Sequence, residues 1–160
     1  MYVRILTSEV KMSGFGDLLS GGIYLSIFIF LGHLSLAQIF LLLTLLVPAS
    51  IIMINVALVT SLSSFYMTDA TTFGFTLFEV FLSPSLYPSV LYQGAVRFIF
   101  IFVIPALAVS GLPIEVVKNF QWQWYGVIWA LAGFWTVLAI TLLGRAIRRY
   151  ESGNMIGARV

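Results

Sequence analysis

Residues 34–65 read LSLAQIFLLLTLLVPASIIMINVALVTSLSSF, a stretch without one Asp, Glu, Lys or Arg. Wound as an α-helix at 1.5 Å per residue, it exceeds a ~30 Å hydrocarbon core by about half. Pro48 stands inside it. Proline removes one backbone donor and crowds the turn before it. The stretch therefore reads as one long helix kinked at Pro48, tilted or running past the bilayer. Two half-spans are the other arrangement it allows.

The rest of the chain agrees with a lipid solvent. Of 160 residues, 61% are hydrophobic and 9% charged, and the mean hydropathy is +1.06. A soluble domain carries roughly 25% charged residues, and so few charges cannot cover a chain of this size against water. The net charge of +2 does not point to nucleic acid, because the basic residues are not spread over a face and the aromatics lie in apolar runs. Cysteine is absent, which removes disulfides, thiolate metal sites and thiol catalysis.

Along the chain, residues 1–17 form a mixed-charge head. Residues 18–31 are apolar and reach the length of a span, ~20 residues, by running on past His33, which reads as a solvated helix end. A basic head, an apolar run and Ser35-Leu36-Ala37 also resemble a signal peptide with its cleavage site. The next stretch is apolar at once, however, which suits a tight hairpin between two spans. In residues 66–94, Thr72, Thr76, Glu79 and Ser83 fall on one narrow helical stripe, with Phe73, Leu77, Val80 and Phe81 on the other sides. That pattern predicts a helix lying in the membrane interface or packed against the bundle. A third span is expected at about 95–112, with Arg97 at its start and Pro105 inside. Next come a loop with Trp122 and Trp124 as an aromatic belt and a fourth span at about 125–143. The expected fold is all-α: a polytopic membrane helix bundle of about four transmembrane helices plus an interfacial amphipathic helix. It forms one domain over 1–160, with the head at 1–17, spans and loops at 18–143 and a tail at 144–160.

Four spans put both termini on one side. Arg4, Lys11, Arg97, Arg145, Arg148, Arg149 and Arg159 then lie together and only Lys118 lies opposite, so the positive-inside rule places both termini in the cytoplasm. Arg145, Arg148 and Arg149 share a helix face, where they meet anionic lipid phosphates and the negative end of the helix dipole. On the fourth span Gly126, Ala130, Gly133, Val137, Thr141 and Gly144 fall on one face. Five of these six are small, which reads as a helix-packing seam. Asn55 sits deep in the second span, and its amide needs a partner on another helix or a water-filled path. Glu79 fits an interfacial position better than a proton carrier. The sequence has no G-x-x-x-x-G-K loop, no H-E-x-x-H and no G-x-S-x-G, and no two ionisable residues are placed within one span. Covalent chemistry is not expected of this chain.

Three stretches together carry a resemblance: Tyr87-Pro88, then FVIPALAVSGLP with Pro105 and Pro113 eight apart, then RAIRRYESG with Arg149-Tyr150-Glu151-Ser152. They resemble bacterial ATP-binding-cassette (ABC) transporter permeases of the second, exporter-like type, over the last four of that family's six spans. The resemblance implies a membrane permease subunit in the inner (plasma) membrane, a truncated or split permease or one whose start lies further upstream. A separate ABC ATPase subunit would drive it, with a second permease copy or a companion permease chain beside it. ATP is then used by the partner, with no cofactor in this chain. Residues 1–17 would correspond to a cytoplasmic loop that touches the ATPase. Asp17-Leu18-Leu19 keeps the family's Asp-Leu-Leu there, and Ser20-Gly21-Gly22 stands where the family has Arg-Pro. The implied roles are ATPase coupling at Gly14 and Asp17, helix shaping at Pro48, Pro105 and Pro113, and membrane anchoring at Arg145, Arg148, Arg149 and Tyr150. The rival reading is a structural or accessory membrane protein without transport activity.

Overall fold

The computed structural model describes residues 12–62 and 70–157. Among them the chain is helical throughout its regular structure: α1 Met12–Leu31, α2 Leu36–Leu62, α3 Ala70–Ser85, a 3-10 turn Ser89–Leu91, α4 Gly94–Phe98 continuing as a π-helix Ile99–Val103, α5 Ala106–Val109, α6 Gly111–Lys118 and α7 Trp122–Gly157. The fold is an all-α membrane bundle. The chain divides into two compact units, residues 1–39 and 40–160.

In the first unit, α1 begins at Met12, so Gly14 and Asp17 stand in helical turns rather than in the loop expected there. Its Ser20 and Ser26 hydroxyls donate to the Asp17 and Gly22 carbonyls, which satisfies them within the helix. The helix stops in a Schellman motif. The Leu34 N–H reaches the Ile29 carbonyl, the His33 N–H reaches that of Phe30, and His33 takes a positive φ of 47°. Two residues on, α2 opens with a capping box. The Ser35 N–H donates to Gln38 Oε1 at 2.9 Å, and the Gln38 N–H donates back to Ser35 Oγ at 3.4 Å. Stop and start signals this close together make a tight turn out of Gly32–Ser35.

In the second unit, α2 is one helix through Pro48, and it is long and apolar enough to cross a membrane over Leu36–Ser61. Leu42, Leu45, Ala49, Ile52 and Val56 are its buried stripe. They recur at alternating steps of three and four, the spacing of one helix face. The hydroxyls of Thr44, Ser50, Thr60 and Ser61 each donate to a carbonyl one turn back, as a hydrocarbon solvent demands. On α3 the polar stripe is exposed, and Phe73, Leu77 and Val80, expected on the other sides, are exposed as well. Thr72, Thr76, Glu79 and Ser83 are exposed, while Phe81 and Pro84 are buried on the helix that packs against α5.

Helix α7 is the other segment able to cross, over Trp122–Arg148, and it continues to Gly157 instead of ending near residue 143. Its packed face within the chain is a different stripe from the expected seam. Ile128, Leu131, Ala132, Ala139 and Ala146 are buried, whereas Gly126, Ala130, Gly133, Val137, Thr141 and Gly144 are all exposed. Among the described residues, nothing outside the helix's own backbone lies within 4 Å of a Cβ built on Gly126, Gly133 or Gly144. The two stripes differ by two residues, about 200° around a helix. Both are rich in small residues, and the chain packs on the alanine stripe.

The largest departure lies in the third expected span. Residues 95–112 are not one helix. The apolar piece Gly94–Val103 is too short to cross, and the backbone leaves the helix at Ile104 (φ −114°, ψ 88°) and Pro105 (φ −71°, ψ 40°). Pro105 disfavours helical geometry at the residue before it and brings no N–H of its own. A π-type bond from the Ile104 N–H to the Ile99 carbonyl, 2.9 Å, closes the first arm. The chain then turns back through α5 and α6. In one continuous helix Arg97 and Glu115 would stand about 27 Å apart; here Arg97 Nη2 donates to Glu115 Oε2 at 2.5 Å. The segment is a helical hairpin whose two arms meet at the Arg97–Glu115 pair.

Candidate functional site

The mouth of this hairpin is a cavity of about 750 Å3. The end of α3, the 3-10 turn, both hairpin arms and the start of α7 surround it. Each boundary has a local cause. Tyr92 ties the turn to α3 by donating its hydroxyl to the Pro84 carbonyl at 3.3 Å, and its ring meets Phe100 edge-on at 5.0 Å. Gly94, at φ 58°, gives the left-handed step that starts the first arm. Gly111 starts α6 where only a hydrogen fits, since a Cβ there would lie 2.6 Å from Ser89 Cβ. Pro113 sits in the first turn of α6, where proline costs no helical hydrogen bond.

Charge gathers at this mouth. The Arg97–Glu115 pair joins the two arms, and each partner is about a third exposed (33% and 37%). An exposed pair of this kind contributes about 0.2–1 kcal/mol, so it steadies the hairpin without locking it. Lys118 lines the same cavity. Arg97 therefore stands with Lys118, and the expectation that put Arg97 among the terminal basic residues is corrected. Beside the mouth, Phe120, Trp122 and Tyr125 form an aromatic cluster, with Phe120–Trp122 centroids 5.1 Å apart and Trp122–Tyr125 5.9 Å apart. These are the rings that settle at headgroup level. Arg145 and Arg148 lie toward the other end of α7, exposed, with Arg148 some 40 Å along the axis from Trp122. The side chains of Arg149 and Tyr150 fall outside those described.

Between these levels runs a polar relay. Asn55 Nδ2 donates to Thr136 Oγ1 at 3.0 Å across α2 and α7 and to the Ile51 carbonyl at 2.9 Å, and Thr136 Oγ1 donates on to the Ala132 carbonyl at 2.7 Å. Next to it, Trp135 Nε1 is buried with no acceptor among the described residues. Reading the sequence missed Thr136 and Trp135, because a threonine and a tryptophan in an apolar run carry no signal until the facing helix is known. No group of three or more His, Asp or Glu able to hold a metal ion occurs among the described residues.

The described residues thus bring together a helical hairpin, a cavity at its mouth and two helices long and apolar enough to cross a membrane, joined by the Asn55–Thr136 pair. The sequence as a whole matches the model of the ABC-2 family transporter protein over residues 1–154. The chain belongs to the ABC-2 transporter family. No curated protein and no solved structure matches it. Within this family assignment the chain is a membrane component of transport, and its helices supply the surface such a component needs.

Proposed function

We propose that the chain is the permease subunit of an ATP-driven ABC exporter, working with a separate ATPase subunit and with a second permease copy or a companion permease chain. The observation that carries this reading is the helical hairpin of residues 94–118, which we take to re-enter the membrane from one side. Irregular backbone at membrane depth is tolerated only where protein buries it or where it lines a cavity, and an anchor or scaffold has no need of one. The chain lacks a G-x-x-x-x-G-K loop, so ATP is bound by the partner.

Orientation follows from charge. With Arg97 and Lys118 at the hairpin mouth, the other six basic residues, Arg4, Lys11, Arg145, Arg148, Arg149 and Arg159, belong to the terminal segments. With α2 and α7 as the two crossing segments and α1, apolar over Phe15–Leu31, shorter than a span, we place both termini in the cytoplasm of a cell whose inner membrane holds the protein, and the mouth outside. The natural absence of cysteine makes this directly measurable. Single cysteines at Lys118 and Arg148 should label from opposite sides of sealed cells, and labelling from the same side would refute the orientation.

Coupling is assigned to the start of α1, around Gly14 and Asp17. Asp17 is exposed and on the cytoplasmic side in this topology. Asp17→Lys reverses its charge without disturbing a buried group. It should reduce co-purification of the partner ATPase subunit by several-fold while leaving membrane insertion intact. Undiminished recovery of the ATPase with the variant would remove Asp17 from the contact.

A further inference from the structure

The hairpin mouth also has the composition of a binding site. Arg97 and Glu115 neutralise each other, and Lys118 has no carboxylate partner among the described residues, so the cavity keeps one positive charge. Arg97 commits one N–H to Glu115 and retains others. Gln121 and Trp124, also in the lining, add further donors. The unbalanced charge of Lys118 favours an oxyanion with a single negative charge. The level is that of headgroups, set by the Phe120–Trp122–Tyr125 cluster at the start of the crossing part of α7. At the rim, Leu86 and Val90 are each 75% exposed and extend the lining into apolar surface.

We propose that this cavity binds the phosphodiester headgroup of an anionic lipid, with Lys118 as its charge partner, Arg97 as a second donor, and Leu86 and Val90 against the acyl chains. A phosphodiester carries the one negative charge that the lining leaves unbalanced, and its unesterified oxygens can accept from the Lys118 ammonium and the free Arg97 N–H groups. The proposal goes beyond the transport reading, since binding requires neither an ATPase nor turnover. A chain that transports nothing can still show it.

The test is native mass spectrometry of the full chain in detergent, titrated with phosphatidylglycerol and, separately, with phosphatidylcholine. Wild type should hold phosphatidylglycerol about tenfold more tightly than phosphatidylcholine, the scale of one charge-assisted contact. Lys118→Gln should lose about tenfold for phosphatidylglycerol alone, and Lys118→Arg should retain the preference. Lys118 is exposed, so neither variant threatens the fold. The same loss should appear in an Arg148→Gln background, which lowers anionic-lipid attraction at the other end of α7. Unchanged phosphatidylglycerol binding by Lys118→Gln overturns the proposal. Displacement of the lipid by millimolar inorganic phosphate would assign the cavity to free phosphate and overturn its assignment to a lipid.

Discussion

Ala139→Leu should destabilise the protein by about 1–3 kcal/mol, whereas Gly133→Leu should leave the stability of the isolated chain unchanged or slightly raised. Ala139 is 0% exposed, in the stripe by which α7 packs. A leucine there forces three extra carbons into filled space, and overpacking costs on that scale. Gly133 has nothing within 4 Å of a built Cβ among the described residues, so a side chain there starts in open space, and replacing glycine inside a helix gains up to ~1 kcal/mol of propensity. Thermal unfolding in detergent, tracked by tryptophan fluorescence, measures both. Equal destabilisation would place the packing face of α7 on the wrong side. The same pair separates packing within the chain from packing between chains. If a second copy lies on the glycine stripe, Gly133→Leu should lower the dimeric fraction in membranes without lowering the unfolding temperature, because close helix approach in lipid depends on small residues.

The second large effect is expected at the hairpin. Gly111→Ala should cost about 1–3 kcal/mol, because its new methyl group would lie 2.6 Å from Ser89 Cβ and 3.2 Å from Ser89 Oγ. The obstructing atom is the root of a side chain, so relief requires backbone movement of the 3-10 turn Ser89–Leu91 or of the start of α6. Either movement reshapes the cavity that both residues line. Gly126→Ala on α7, with open space around its Cβ, is the matched control and should be neutral or stabilising. A Gly111→Ala protein with the unfolding temperature of wild type would mean that α6 does not approach the turn this closely.

Hydrophobic content made the solvent legible from the sequence, and two long runs made α2 and α7 legible with it. The amphipathic stripe of α3 was legible for the same reason, since its polar positions share one helical face. Other features depended on partners that a linear pattern does not name. On α7, Gly126–Gly133–Thr141 and Ala132–Ala139–Ala146 are equally small, and only the side facing the buried surface distinguishes them. In residues 95–112 the apolar content suited a span, and Pro105 alone hinted otherwise. A proline inside a membrane helix more often kinks it than reverses it, and the reversal rests on the Arg97–Glu115 pair and the Gly111–Ser89 approach. Asn55 announced its need for a partner, but Thr136 could not be named before the helices were side by side. The turn between α1 and α2 was readable in principle, since Ser35 and Gln38 have capping-box spacing.

Nucleotide turnover by the ATPase subunit that co-purifies with this chain, in proteoliposomes with and without the chain, tests the central claim most directly. A permease subunit couples the ATPase to a membrane path, so adding wild-type chain, with its companion spans where these are separate, should raise ATP hydrolysis several-fold above that of the ATPase alone. The Asp17→Lys chain, inserted to the same level, should raise it far less. Hydrolysis that is identical with and without the wild-type chain, under conditions where both proteins are present and folded, would contradict the assignment of this chain as a permease driven by a separate ATPase.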